Sequence, residues 1–108
     1  MALPGDVVLQ VSVTRVGPTL IVKLSGELET STAELTAASL MELVGPGDEV
    51  VVDLRGVEYL DPDGLSALLE ARQEAARRGG SLSLRSPTRE IARILARSGA
   101  AELITIEW

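Results

Sequence analysis

The stretch Val50-Val51-Val52-Asp53-Leu54-Arg55-Gly56-Val57-Glu58-Tyr59-Leu60-Asp61-Pro62-Asp63-Gly64-Leu65-Ser66-Ala67-Leu68-Leu69 changes period partway along its length. The continuous β-branched run at Val50-Val51-Val52 reads as a central strand covered on both faces. Leu65, Leu68 and Leu69, with Ala75 and Ala76 beyond, recur instead at helical spacing and predict a broad buried helix face. Between them, Asp61-Pro62-Asp63-Gly64 has the composition of a helix start, with Asp61 as N-cap, Pro62 at the first helical position and Asp63 at the second. A strand therefore hands over to a helix here. Such a junction exposes unpaired backbone N–H groups and the positive end of a helix dipole, a natural seat for a carboxylate or a phosphate.

Upstream, Val7, Leu9, Val11 and Val13 alternate with Val8, Gln10, Ser12 and Thr14, predicting a strand with one buried face. Gly17-Pro18 reads as a turn, and Leu20, Val22 and Leu24 resume the alternation, so the first two strands are expected to pair antiparallel. From Thr30 to Val44 the spacing of Ala33, Ala37, Leu40 and Val44 is helical, Ser31 with Glu34 resembles a capping box, and Gly45-Pro46-Gly47 ends the helix. Downstream, Glu70, Gln73, Glu74, Arg77 and Arg78 are left for solvent or a partner. Gly79-Gly80 stops the second helix, and Leu82 and Leu84 mark a short strand. Ser86-Pro87 reads as an N-cap followed by proline, Ile91, Ile94 and Leu95 as the buried stripe of a third helix, and Leu103 to Ile106 as a last strand. The order β-β-α-β-α-β-α-β predicts an α/β fold with a mixed sheet, and the length of 108 residues predicts one domain over residues 1–108.

Composition narrows the function. Apolar residues make up 45% and charged residues 24%, which argues against wholesale disorder. With no Phe, one Tyr and one Trp there is no stacking platform for bases, and a net charge of −6 opposes a nucleic-acid or anionic-membrane surface. The absence of Cys and His removes thiolate nucleophiles, imidazole bases and nearly all zinc chemistry. No basic-then-apolar leader opens the chain and no apolar run is long enough to span a bilayer, so the expectation is a cytoplasmic protein with no direct membrane insertion. The charge is uneven: residues 1–63 hold 11 acids against 3 bases, the remainder 5 against 7. The first part is the better candidate for docking a basic partner.

Two acids after an apolar strand could bind Mg²⁺ or form an aspartyl phosphate. That chemistry also needs further acids and a lysine, and the only Lys is Lys23 in the second strand. As a calcium loop the segment fails, because Leu65 stands where a third oxygen ligand is required. Capping accounts for Asp61, Pro62 and Asp63 on physics alone, the cap being worth about 1 kcal/mol. No catalytic residue, metal site or cofactor is expected.

The whole stretch from Val50 to Leu69 closely resembles the signature of the STAS domain, found in bacterial anti-sigma factor antagonists: an apolar strand, Asp-Leu, a short turn, then Asp-Ser-Ser-Gly-Leu opening a helix. Gly26-Glu27-Leu28-Glu29 is similar to the family's Gly-Glu-Leu-Asp, and Arg78-Gly79-Gly80 with Leu82 and Leu84, and Ile94-Leu95 to Gly99, fall where the family has similar residues. The resemblance implies a single STAS-like domain with three to four helices and a role in partner switching. In that mechanism the unmodified antagonist binds a kinase-like anti-sigma factor and frees sigma, and phosphorylation of the second Ser undoes the complex. Here Pro62 and Asp63 occupy the two serine positions, so the residue that would be switched is a fixed carboxylate. Asp63 carries one negative charge where a phosphoserine carries roughly −1.5 to −2.

The resemblance places partner binding at Asp61, Pro62, Asp63, Gly64 and Leu65, flanked by Tyr59 and by Glu27 and Glu29. Asp63 either repels the site that a kinase-type partner uses or forms part of a contact with a basic patch. Ser66 is the nearest hydroxyl that could take over phosphorylation, Thr30, Ser31 and Thr32 are read as caps, and the row Arg89, Arg93 and Arg97 is the solvated face of the third helix or a site for an acidic partner. The alternative role is a non-switching subunit of a stress-signalling scaffold or of a lipid or anion transporter.

Overall fold

Alternating and β-branched residues form the strands, and Gly or Pro punctuates nearly every element boundary. The computed structural model describes residues 9–108, with backbone alone at residues 30, 31 and 33–36. Strands β1 (Leu9–Val16) and β2 (Thr19–Leu28) lead into α1 (Thr30–Leu43). There follow β3 (Glu49–Leu60), α2 (Pro62–Arg77), β4 (Ser81–Arg85), α3 (Arg89–Ser98), a 3₁₀ turn (Ala100–Glu102) and β5 (Ile106–Glu107). The sheet runs in sequence order β1-β2-β3-β4-β5, with β1 antiparallel to β2 and all other pairs parallel. A mixed five-stranded sheet with three α-helices is the α/β architecture expected from the sequence.

Register decides which residues become core. Leu20, Val50 and Leu82 stand side by side, as do Val22, Val52 and Leu84, and all six are buried. Together with Leu24 and Leu54 they join one hydrophobic cluster that takes in Leu40 and Val44 from α1, Ala67, Leu68, Ala71 and Ala75 from α2, and Ile91 and Leu95 from α3. The opposite face, at Ile21, Val51 and Ser83, is only half-buried. The valine run is thus central in the sheet but shielded fully on one face, not on both.

Four other expectations change. In β1, Leu9 and Val13 are half-buried but Val11 is 44% exposed, because this strand is the sheet edge; Val7 and Val8 lie outside the described residues. On α2 the buried stripe is Gly64, Ala67, Leu68, Ala71 and Ala75, with Leu65 and Leu69 at its flanks and Ala76 exposed. Small side chains at the centre let this helix approach the sheet closely. The cap of α3 is Thr88, whose Oγ1 accepts from the Ile91 N–H at 3.2 Å, two residues after the expected Ser86. Ser86 itself sits at φ 54° in the loop. The last strand pairs Ile106 and Glu107 with Leu84 and Arg85, while Ile104 is buried in the preceding turn and Leu103 is exposed.

The C-terminal end of α1 has no basic residue in its last turn, so its terminal carbonyls need donors from elsewhere. Arg78 Nη1 donates to the Met41 and Val44 carbonyls, and Arg15 Nη2 donates to the Leu43 carbonyl at 3.1 Å. Arg78, expected on the solvent face, is therefore half-buried, and it also pairs with Glu74 at 3.0 Å. Arg15 clamps Asp48 with both guanidinium nitrogens, at 3.1 and 2.7 Å. Asp48 Oδ2 further accepts the Gly45 N–H at 2.6 Å.

These two contacts, Arg15 first and the Gly45 amide second, hold the Asp48 carboxyl below the usual carboxylate range. A depressed folded-state pKa adds stability above the unfolded value of about 3.9 and loses it as pH falls through the folded one. Urea melts of wild type and Asp48→Asn should accordingly differ by a constant amount above pH 5 or so and converge as the pH drops below about 4. A gap that persists unchanged at pH 2 to 3, roughly, would remove the ion pair as its source.

Candidate functional site

Strand β3 outlasts β4: its pairing with β4 stops at Asp53↔Arg85, whereas pairing with β2 continues to Leu28↔Leu60. The continuation passes two register shifts, the first after Lys23↔Asp53 and the second after Gly26↔Val57. Asp53 pins the first. Its Oδ1 accepts the Arg55 N–H at 2.9 Å and its Oδ2 lies 3.6 Å from Arg85 Nη2, which provides a buried carboxylate with partners.

Beyond the second shift the two strands end together. Glu27 stands beside Tyr59 and Leu28 beside Leu60, so α1 and α2 both start at the same edge of the sheet. The Asp61 N–H donates to the Leu28 carbonyl at 3.3 Å, joining the start of α2 to the end of β2. Asp61 is the N-cap, with Oδ1 accepting the Gly64 N–H at 2.7 Å and its carbonyl accepting the Leu65 N–H at 2.9 Å. Pro62 occupies the first helical position and needs no donor there. Gly64 is buried, and a Cβ on it would collide with the Leu28 carbonyl oxygen and lie 3.1 Å from Leu60 Cδ1. Only glycine lets the helix start lie this close to the loop beside it.

The start of α1 is built differently from the expected Ser31–Glu34 box. Glu29 is the N-cap, and its N–H donates to Thr32 Oγ1 at 3.1 Å. The Thr32 hydroxyl is also 3.1 Å from the Glu27 and Glu29 carbonyls. Ser31 is the second helical residue, and the side chains of Thr30, Ser31, Ala33 and Glu34 lie outside the described residues. Thr32 and the Leu28 carbonyl are the parts of this site that sequence reasoning missed. Glu29-x-x-Thr32 is a capping box with its residue types exchanged, a signal that was available.

The result is two adjacent helix N-termini rimmed by acids. Tyr59 is 49% exposed, Glu58, Pro62, Asp63 and Ser66 are exposed, and Glu27, Glu29 and Leu65 are half-buried. Asp63 lies in the first turn of α2, where the dipole favours its charge. Asp61 is committed to its cap. Among the described residues no three acids converge to hold a metal ion, and no helix is long and apolar enough to cross a membrane. The Arg89, Arg93 and Arg97 row is exposed on α3, separate from this rim.

Residues 11–105 match the family described as "Mlab, STAS domain". The anti-sigma-B factor antagonist of Bacillus subtilis is 26% identical over 85 residues, covering 79% of this chain and 78% of its own length. A 59-residue stretch is 36% identical to the "Probable sulfate transporter 4.2" of Arabidopsis thaliana, of which this chain spans only 9%. Among solved structures, an anti-sigma factor antagonist from Mycobacterium paratuberculosis superposes with a TM-score of 0.79 at 20% identity, over 92% of this chain and 85% of the other.

The junction separates two kinds of variant. Gly64→Ala pushes the start of α2 away from the Leu28 backbone and should lower stability in urea melts by about 3 kcal/mol, whereas Asp61→Ala, which removes the cap to the Gly64 N–H, should cost about 1 kcal/mol. Equal losses would contradict the close approach at Gly64.

Proposed function

Since the chain belongs to the STAS-domain family, we propose that it is a partner-switching regulator of the anti-sigma factor antagonist type, working by protein–protein binding in the cytoplasm, without catalysis or cofactor. Its contact face is the first turn of α2, at Asp61, Pro62, Asp63, Gly64 and Leu65, with Tyr59, Glu27 and Glu29 around it. Asp63 stands at the antagonist family's switch serine, so this face presents its charge permanently.

The observation that carries the reading is the exposed Pro62–Asp63 turn on a rigid base. Asp61 and Gly64 are locked to the end of β2, while Asp63 and a half-exposed Tyr59 face outward beside Glu58. An aromatic anchor with a fixed charge at its rim is the usual composition of an interface centre. The partner that fits is a protein with basic residues opposite Asp63, an anti-sigma factor of the kinase-like kind. In the description of a relative as an anti-sigma-B factor antagonist, over most of both chains, this reading has its support.

A second reading rests on the identity with the transporter from Arabidopsis thaliana: the same face docks this chain as a non-switching subunit of a scaffold or transport assembly. Co-purification from native extract separates the two, returning a sigma regulator in one case and transporter or scaffold subunits in the other.

Against the cognate anti-sigma kinase, Tyr59→Ala should weaken binding tenfold or more with an unchanged circular dichroism spectrum. Asp63→Ser should become phosphorylated on incubation with that kinase and ATP. If Tyr59→Ala binds as the wild type does and Asp63→Ser stays unmodified, the α2 face is not the switch surface.

A further inference from the structure

Among the described residues β1 is the outer strand of the sheet and pairs on one side only, with β2. Its other side presents a row of backbone donors and acceptors, a template for a further strand. Edge strands are ordinarily blunted by Lys, Pro, bulges or short length. Leu9–Val16 has none of these: it is eight residues long, carries no Lys or Pro, and pairs with β2 in unbroken register from Leu9↔Gly26 to Val16↔Thr19. Its one charge, Arg15, is bound to Asp48 at 2.7 Å.

We infer that β1 pairs antiparallel with β1 of a second copy of this chain, about a two-fold axis at Val11, joining two sheets into one of ten strands. Antiparallel pairing about Val11 sets Val11 against the partner's Val11, and Leu9 against the partner's Val13. On the side of the sheet where the helices pack, this covers a valine that is 44% exposed and two residues that are half-buried. On the other face, Gln10 meets the partner's Ser12, polar against polar. Shifting the axis to Ser12 would put Leu9 against the partner's Arg15, and shifting it to Val13 would put Val11 there. Of these three axes, the one at Val11 sets apolar against apolar and leaves Arg15 outside the Leu9–Val13 row.

Charge also selects a second copy over an unrelated chain. The protein carries −6 overall, so two copies repel each other at long range. From Leu9 to Thr14 the edge is uncharged, so two copies meet there without repulsion. Two-fold antiparallel pairing is isologous and closes at the dimer.

The chain contains no Cys, which makes the test direct. Val11→Cys places two thiols opposite each other across the axis, whereas Leu103→Cys puts a thiol at a more exposed position, 57% against 44%, just after the 3₁₀ turn. Under mild oxidation, with a short bismaleimide in parallel, full-length Val11→Cys should cross-link about tenfold faster or more than Leu103→Cys, through the raised effective concentration of paired thiols. Wild type should sediment as a dimer, and Val11→Lys as a monomer with an unchanged circular dichroism spectrum. Equal cross-linking of the two cysteine variants, a monomeric wild type, or a dimer that Val11→Lys leaves intact would each overturn the proposal.

Discussion

The contact between Gly64 and the backbone of Leu28 organises the end of the molecule that carries the Asp61–Gly64 turn. It holds because Gly64 has no Cβ and because the Asp61 amide reaches the Leu28 carbonyl in the same place. Through it, the end of β2, the end of β3 and the beginning of α2 share one set of backbone atoms. Glu29, the next residue after Leu28, then caps α1. The main-chain position of Asp63 is thereby set by the packing of its neighbours Asp61 and Gly64. A fixed charge on a fixed helix turn is what a binding face needs if its specificity is to reside in geometry.

The opposite end of the sheet is governed by arginine. The last carbonyls of α1 have no donors on their own helix, and Arg15 from β1 and Arg78 from the end of α2 supply them. Planar guanidinium groups suit this task because one side chain can serve two acceptors at once. Gly80 contributes similarly to Gly64: a Cβ there would collide with the Asp48 carbonyl oxygen. Each end of the layered structure is thus closed by one glycine against a backbone carbonyl, with charge-assisted hydrogen bonds alongside.

Much of the fold was legible because period and punctuation agree along the chain. Element order, the central position of the valine run and the handover at Asp61 follow from patterns of only a few residues. What escaped depends on neighbours remote in sequence. Val11 fits a buried alternation but lies on the edge, where nothing within the described residues covers it. Arg78 reads as solvent-facing because its partners, Met41 and Val44, lie far upstream. The cap of α1 fell to Glu29 and not to Ser31 because β2 runs on to Leu28, as far as its register with β3 demands. In the site, the outward residues were legible from the motif, while the Leu28 carbonyl and Thr32, which shape its base, were not.

The borrowed donors at the end of α1 have a consequence for the order of assembly. During synthesis α1 leaves the ribosome well before Arg78 exists, although its first-turn cap, Glu29 with Thr32, is local. Until α2 is complete, the carbonyls at the end of α1 lack the Arg78 donor. Short helices without tertiary support are marginal in water. The hairpin of β1 and β2 can form from local contacts, but α1 must wait for the sheet and for α2, so it consolidates late although it lies early in the chain. In the finished protein α1 takes the donors for its last carbonyls from two other places in the chain, Arg15 on β1 and Arg78 at the end of α2.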